Sequence, residues 1–194
     1  MPQPLSAYGA DKLGCELHAR IGGAVHGLRS AGLRFFNVFG PRQDPRSPYS
    51  GVVSIFCGRL ARGEPLDIFG DGGQTRDFVY VSDIVAALLS ASRHASTAAP
   101  VFNVCTGKGT SVLELTAHLG RIWGVEPVLR HKPPRAGEIR HSVGSRKACA
   151  EALGLRETLA IEHGLRDLAD WFRNGQPRLV ETSHQSRLLE SAYP

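Results

Sequence analysis

The segment that most restricts the possible fold is Leu33–Gly40, whose sequence LRFFNVFG is almost continuously apolar and ends at a glycine. A strand that is apolar on both faces is typical of a parallel sheet covered by helices on its two sides. The residues before it, from Ser6 to Leu28, carry apolar side chains at three- and four-residue steps, which predicts one long helix. We expect Gly32 to supply the left-handed turn after this helix. A helix followed by a buried strand predicts an α/β fold.

The rest of the chain also alternates between helical and strand patterns, after a proline-rich loop that follows Gly40. Ser111 and Glu114 form a capping-box pattern, which predicts that a helix begins at residue 112. Apolar periodicity predicts helices over 52–62, 84–92, 112–123, 145–153 and 157–174, and strands over 66–70, 76–81, 101–104 and 127–130.

Composition narrows the class of protein. The longest apolar runs fall short of the roughly 18–20 residues that a membrane helix needs. Four scattered cysteines without a C-x-x-C pair predict a reduced, cytoplasmic chain with buried thiols and no metal site. The net charge is +5 and 19 of the 23 basic residues are arginine, a side chain suited to phosphate groups. Nucleic acid is an alternative ligand, but the basic residues are spread along the chain, so we predict binding to neither nucleic acid nor membrane.

Two residues near the start of the predicted helix could carry chemistry. Tyr8 and Lys12 are four positions apart, which places the phenol and the ammonium on one face of a helix. A positive charge one helical turn away favours the phenolate form, so the pair could accept and return a proton. The alternative is an exposed i,i+4 pair with no chemical role.

Four stretches together give a more specific signal: SAYGADKL at 6–13, LRFFNVFGPR at 33–42, GDGGQTRDFVYVSD at 70–83 and PPRAGEIRHS at 133–142. In this order and spacing they resemble the NAD-dependent epimerase/dehydratase family of the extended short-chain dehydrogenases/reductases. Within that family the sequence is most similar to UDP-glucose and UDP-N-acetylglucosamine 4-epimerases.

The resemblance implies a reaction and two catalytic residues. The activity would be NAD-dependent epimerisation at C4 of a UDP-hexose, by oxidation and re-reduction of that carbon. Tyr8 would take the proton of the 4-hydroxyl, and Lys12 would hold the nicotinamide ribose of NAD beside it. The resemblance leaves open another nucleotide-sugar dehydratase or reductase, or a non-catalytic UDP-sugar-binding fragment.

Five residues further along would bind the nucleotide sugar. Arg76 and Arg135 resemble two arginines on the diphosphate, a role that suits the forked guanidinium group. Asn37 resembles an asparagine at the diphosphate, Glu138 a carboxylate on the uridine ribose, and Val53 a residue along the substrate.

Three of these assignments have simpler alternatives. Arg76 could pair with Asp77 on the surface, where such a pair contributes under about 1 kcal/mol. Arg135 could be solvated in its Pro- and Gly-rich loop, and Asn37 could bind local backbone at the end of its strand.

The fold that the resemblance implies is α/β: the C-terminal part of a Rossmann-type doubly wound parallel sheet with a smaller α/β nucleotide-sugar-binding domain. Residues 1–40 would be the remnant of the NAD-binding Rossmann domain, and residues 176–194 a loose tail. Residues 41–175 would be mainly the substrate domain, with interleaved returns to the Rossmann sheet. The full-length form would be a homodimer.

The sequence departs from the family's pattern in one respect. No G-x-G-x-x-G follows a strand, and the nearest glycine-rich turn, GKGTS at 107–111, has the wrong spacing for a dinucleotide fingerprint. That turn could hold an anion at a helix N-terminus or could be a plain turn. We expect that the cofactor half is missing, that this chain alone does not hold NAD, and that Leu33–Gly40 and the first helix expose apolar surface that favours self-association.

Overall fold

The computed structural model describes residues 2–4, 6–47, 50–135, 137–155 and 157–174, so the predicted tail lies outside the described residues. Helices and short strands alternate along these ranges. The helices are α1 Ala7–His26, α2 Val52–Ala61, α3 Val81–His94, α4 Val112–Trp123, α5 Lys147–Leu153 and α6 Ile161–Arg173. The strands are β1 Gly32–Phe35, β2 Asn37–Phe39, β3 Leu66–Phe69, β4 Thr75–Arg76, β5 Phe78–Tyr80, β6 Val101–Val104, β7 Thr110–Ser111, β8 Leu129–Lys132 and β9 His141–Ser142.

Parallel pairing dominates the sheets, which confirms the predicted α/β class. β1 pairs with β6, β2 with β5 and β3 with β8, all parallel. β4 lies between β9, which is parallel to it, and β7, which is antiparallel. The connections between the parallel partners all contain a helix, as parallel pairing requires.

The predicted strand Leu33–Gly40 is divided at Phe36, where the chain changes its partner. The Phe36 N–H donates to the carbonyl of Val104, the last residue of β6, whereas the Asn37 N–H donates to the carbonyl of Asp77, the residue before β5. The prediction that this strand is buried on both faces is wrong for β1, where Phe35 is 45% exposed. Among the described residues β1 has a neighbour on one edge only, so its other edge is unpaired.

Two apolar cores flank β5. Phe78 and Val79 are both buried, and because successive strand residues point to opposite faces, each belongs to a different core. The first core joins α2, α4 and α6 to β2, β3 and β5, and the second joins α3 and α5 to β5 and β6. The predicted division of the chain at residues 40 and 175 stays a prediction.

Helix ends follow the sequence signals in part. The capping box at Ser111 and Glu114 is present, with each side chain bound to the other residue's backbone N–H. The prediction that Gly32 provides the left-handed turn after α1 is wrong: Gly27 does so, with φ 66°, and Gly32 is the first residue of β1. Gly27 lies directly after the helix, so its N–H and that of Leu28 can reach the last free carbonyls of α1.

α1 contacts the rest of the chain sparingly. Only Gly23 is buried within the helix, while Leu17, Ile21 and Val25 are at least half exposed. The carboxylate of Glu16 accepts two hydrogen bonds from Arg34 at 2.6 and 2.7 Å, and these bonds lower the pKa of Glu16. No helix in the described part of the chain is long and apolar enough to span a membrane.

The docking of α1 predicts opposite effects for two glycine-to-alanine substitutions. A Cβ on Gly23 would lie 2.0 Å from the carbonyl oxygen of Thr97, whereas a Cβ on Gly14 would meet no atom within 4 Å. We expect Gly23→Ala to lower the free energy of unfolding by about 1–3 kcal/mol, because backbone must move. Gly14→Ala should raise it by up to about 1 kcal/mol, because alanine favours the helix. Urea unfolding followed by circular dichroism measures both, and equal stability of the two variants would contradict the docking.

A second prediction concerns Asp67, which holds β3 and β8 together. Arg130 Nε lies 2.5 Å and Arg59 Nη1 2.8 Å from the two carboxylate oxygens, and these partners, Arg130 first, hold the pKa of Asp67 well below its usual range. The stabilisation is therefore complete above the unfolded-state pKa of about 4 and is lost as the pH falls below it. We expect Asp67→Asn to be less stable than wild type at pH 7, with the difference shrinking below about pH 4.

Urea titrations at several pH values measure this difference. The matched control is Asp170→Asn, which removes an exposed i,i+3 pair with Arg173 and should change stability by under about 1 kcal/mol. A difference between wild type and Asp67→Asn that stays constant down to pH 3 would contradict the assignment.

Candidate nucleotide-sugar site

A cavity of about 340 Å³ lies where the ends of β2, β3 and β4 approach α2 and the segment before β9. It gathers side chains that are far apart in the sequence. Its lining comprises Asn37, Ser50, Val52, Ile55, Phe56, Arg59, Asp67, Phe69, Gln74, Arg76, Val112, Arg135 and Glu138.

α2 and β3 contribute to this cavity through their regular periodicities. Val52, Ile55 and Arg59 follow one another at three- and four-residue steps and so share one face of α2. On β3, Leu66 and Ile68 are buried in the core, while Asp67 and Phe69 alternate with them and face the cavity.

Arg76 and Glu138 form an ion pair at the edge of the cavity. Arg76 Nη2 lies 3.1 Å from Glu138 Oε1, and Arg76 Nη1 donates to the carbonyl of Thr75 at 2.9 Å. The two side chains are only 17% and 25% exposed, so solvent screens them less than a surface pair. The arginine is thus held in one orientation, with the rest of its guanidinium edge beside the cavity.

Arg135 and Asn37 are held by different contacts. The guanidinium carbon of Arg135 lies 3.9 Å from the centre of the Phe69 ring, a stacked cation–π arrangement. Asn37 Nδ2 donates to the carbonyl of Asp77 at 3.3 Å.

The cavity lining carries one net positive charge, because it includes three arginines, Arg59, Arg76 and Arg135, and two carboxylates, those of Asp67 and Glu138.

Four of the five predicted substrate-binding residues therefore line one cavity: Asn37, Arg76, Arg135 and Glu138. Val53 lies beside it. Its side chain is 2% exposed within the first core, and it lines an adjoining cavity of about 290 Å³ together with Asn37 and Gln43. The neighbouring residue Val52, one helical position away, lines both cavities.

Tyr8 and Lys12 lie elsewhere. Lys12 Nζ is 5.3 Å from the centre of the Tyr8 ring, so the predicted pairing on one face of α1 is present. Tyr8 is 71% exposed, and none of the described residues that line the main cavity comes from α1. The described part of the chain therefore assembles the predicted nucleotide-sugar residues but does not bring the predicted catalytic pair among them.

Asp77 does not pair with Arg76, which excludes the surface ion pair considered from the sequence. Its side chain is fully buried, and it accepts hydrogen bonds from the glycine-rich turn, including one from the Gly107 N–H at 2.9 Å. Gly107 has φ 78°, a conformation that glycine adopts without strain. The Gly107 amide of this turn is therefore used by a carboxylate of the same chain.

The predicted substrate-binding residues leave out several others that line the cavity, among them Gln74, Asp67 and Arg59. Gln74 is 6% exposed and donates to the carbonyl of Phe69 at 3.0 Å, which fixes the turn before β4. Asp67 and Arg59 could have been found from the two-residue alternation of β3 and the helical spacing from Val52. These periodicities can be seen in the sequence, whereas the pairing of β3 with β8 cannot.

Within the described residues, no three His, Cys, Asp or Glu side chains are close enough together to hold a metal ion. All four cysteines are free, and three are buried as predicted, but Cys15 is exposed on the open face of α1. Burial raises the pKa of the Cys57 thiol to about 12. The cavity is lined by guanidinium groups, carboxylates, side-chain amides and an aromatic ring, a set suited to a phosphate ester with hydroxyl groups.

Comparison with known proteins gives consistent results. A model of the NAD dependent epimerase/dehydratase family matches residues 1–105. A putative UDP-glucose 4-epimerase from Methanocaldococcus jannaschii is 37% identical over 172 residues, which cover 88% of this chain and 54% of that protein.

Solved structures of Rossmann-fold epimerases are also similar. The UDP-glucose 4-epimerase of Thermotoga maritima, solved with UDP-glucose, matches with a TM-score of 0.85 and 40% identity over 90% of this chain and 55% of its own. The UDP-glucose 4-epimerase of Thermus thermophilus, solved with NAD, matches with a TM-score of 0.79 and 34% identity. The match covers 90% of this chain and 56% of that protein.

The chain thus spans about half the length of the relatives it matches. The family model covers more than half of this chain, including the first three of the four stretches that carried the resemblance. The predicted family and fold class are confirmed, and the chain belongs to the NAD-dependent epimerase/dehydratase family.

Proposed function

We propose that this chain carries the nucleotide-sugar site of a UDP-hexose 4-epimerase that uses NAD. The observation that supports this most directly is the single cavity shared by Asn37, Arg76, Arg135 and Glu138. Similar proteins named as UDP-glucose 4-epimerases, one of them solved with UDP-glucose, indicate the nucleotide and the sugar.

The cavity suggests how a UDP-sugar would bind. The guanidinium groups of Arg76 and Arg135 would bind the diphosphate, because both are held in place by existing contacts and both carry full positive charge. Glu138, which accepts hydrogen bonds only, would bind ribose hydroxyl groups. The amide of Asn37 lies at the boundary between the two adjoining cavities and would meet the diphosphate near the sugar, with Val53 further along the substrate.

The cofactor implied by the family is NAD, which when bound accepts a hydride from sugar C4 and returns it to the opposite face. Tyr8 and Lys12 fit the nicotinamide side of such a site, since they lie one helical turn apart on an open face with the ammonium near the ring. Lys12 would hold the nicotinamide ribose, and Tyr8 would take the proton from the 4-hydroxyl group and later give it back.

A second function is favoured by one observation. The main cavity is built without any described residue of α1, so a chain that binds UDP-sugars without turning them over would keep the whole cavity. We place the epimerase first because the Tyr8–Lys12 pair is present with the expected spacing. The proposal includes a homodimer in the full-length form and a cytoplasmic location.

Binding of UDP to this chain tests the nucleotide-sugar site. We expect isothermal titration calorimetry to detect UDP binding, and Arg76→Gln to weaken it by about 10- to 100-fold, because a charged hydrogen bond to phosphate is lost. The matched control is Arg93→Gln, which removes the same charge from the exposed side of α3. Equal UDP affinity of the two variants, or an absence of UDP binding by wild type, would contradict the site.

Turnover separates the two functions. In the longest form of the protein that its gene encodes, supplied with NAD, we expect interconversion of UDP-glucose and UDP-galactose. Tyr8→Phe should lower the rate by at least about 100-fold, because it removes the group that exchanges the proton, while UDP affinity stays within about twofold. Wild-type turnover in Tyr8→Phe would contradict its catalytic role, and UDP binding without turnover in wild type would favour the non-catalytic function.

A further inference from the structure

Asp77 immediately follows Arg76, yet its side chain lies in the protein interior and not in the cavity. It is fully buried, and no arginine or lysine of the described chain forms an ion pair with it. Its carboxylate accepts hydrogen bonds from Thr106 N and Thr106 Oγ1, both at 2.7 Å, from Gly107 N at 2.9 Å and from Gly144 N at 3.4 Å. Burying an unpaired carboxylate is costly, and four such donors offset that cost.

The backbone of Asp77 is also fully bonded. Its N–H donates to the carbonyl of Ser142 at 2.9 Å, and its carbonyl accepts the N–H and the Nδ2 of Asn37 at 2.9 and 3.3 Å. One residue therefore ties together three segments: the start of β2, the glycine-rich turn after β6, and residues 142–144.

These three segments have little room to shift independently. A Cβ on Gly144 would lie 2.5 Å from Phe36 Cζ and 2.7 Å from Cys105 Sγ. Phe36 precedes Asn37, and Cys105 precedes the turn that binds Asp77. The backbone at residue 144 is thus wedged between the two other segments that Asp77 holds.

Three candidate substrate residues depend on this arrangement. Arg76 is the neighbour of Asp77 in the chain, and Asn37 donates to the Asp77 carbonyl. Glu138 lies four residues before Ser142, whose carbonyl accepts from the Asp77 N–H. We infer that Asp77 is a positioning residue for the nucleotide-sugar site. Its carboxylate fixes residues 106, 107 and 144 around its own backbone, which binds Asn37 and Ser142, and this arrangement holds Asn37, Arg76 and Glu138 at the separations that the cavity requires. Only the affinity readout of this inference rests on the proposed function.

The chemistry of the carboxylate is specific to this role. A carboxylate has about four acceptor sites and no donor, which matches four surrounding donors. In Asp77→Asn the side-chain NH2 group would face backbone N–H groups. Because an NH2 group is a donor, it cannot accept their hydrogen bonds. The substitution preserves shape but leaves donors facing donors, so it perturbs the anchor without opening a cavity.

The experiment compares Asp77→Asn with Asp83→Asn by hydrogen exchange of the unliganded chain and by UDP titration. Asp83 is a suitable control because its carboxylate accepts one backbone hydrogen bond, from Leu159 at 3.0 Å, away from the cavity. For Asp77→Asn we expect amide exchange in 105–107 and 137–144 to rise at least about tenfold, and UDP affinity to fall by about tenfold or more. For Asp83→Asn the amide exchange of these residues and the UDP affinity should both stay within about twofold of wild type, even if its unfolding midpoint falls as far as that of Asp77→Asn.

A milder variant keeps the test decisive. If Asp77→Asn does not fold, Thr106→Val removes one of the four donors, and a smaller change in the same two measurements is expected. Wild-type exchange in 137–144 together with wild-type UDP affinity would overturn the inference, as would equal losses of affinity in the Asp77 and Asp83 variants. If wild type does not bind UDP, the proposed function fails, and the exchange of 137–144 alone decides the anchoring role.

Discussion

The change of partner between Phe36 and Asn37 is the constraint on which the rest of the structure depends. One chain segment pairs with β6 over its first half and with β5 over its second half, so a single strand links the two cores. Asn37 lies directly after this change, and its backbone N–H is bonded to the residue that follows Arg76. The point where the pairing changes is therefore also the point where the candidate site begins, which is where ligands commonly bind in α/β proteins.

The charges of the site are arranged before any ligand arrives. Arg59 and Arg76 are each paired with a carboxylate, and Arg135 lies flat on Phe69. Such fixed guanidinium groups lose less side-chain entropy on binding than free ones would, because their rotamers are already restricted. The lining keeps one net positive charge, enough to favour an anion without a strongly repulsive empty state.

Much of this could be predicted from the sequence. The α/β class, the capping box at Ser111 and the four-residue step between Tyr8 and Lys12 depend on local patterns, and local patterns can be read directly. Arg76, Arg135 and Glu138 were identified because the stretches around them resemble a family, not because their neighbours in space were visible.

What could not be predicted depends on contacts between distant segments. The division of Leu33–Gly40 requires knowledge of two partner strands, since its own residues carry no turn signal. The burial of Asp77 was hidden because alternation along 75–80 cannot tell which face meets the glycine-rich turn. The end of α1 at Gly27 was missed because both Gly27 and Gly32 fit the pattern after a helix.

The sparse attachment of α1 has a consequence for how sequence change would affect this protein. The candidate cavity borders the first core, and the segments around it are cross-linked by a buried carboxylate, so alterations there would affect many neighbours at once. In the described part of the chain, the helix that bears Tyr8 has one buried glycine and one ion pair to β1, and most of its large apolar side chains are exposed. For a chain with the proposed function, mutation could therefore abolish conversion of the substrate and leave its binding intact.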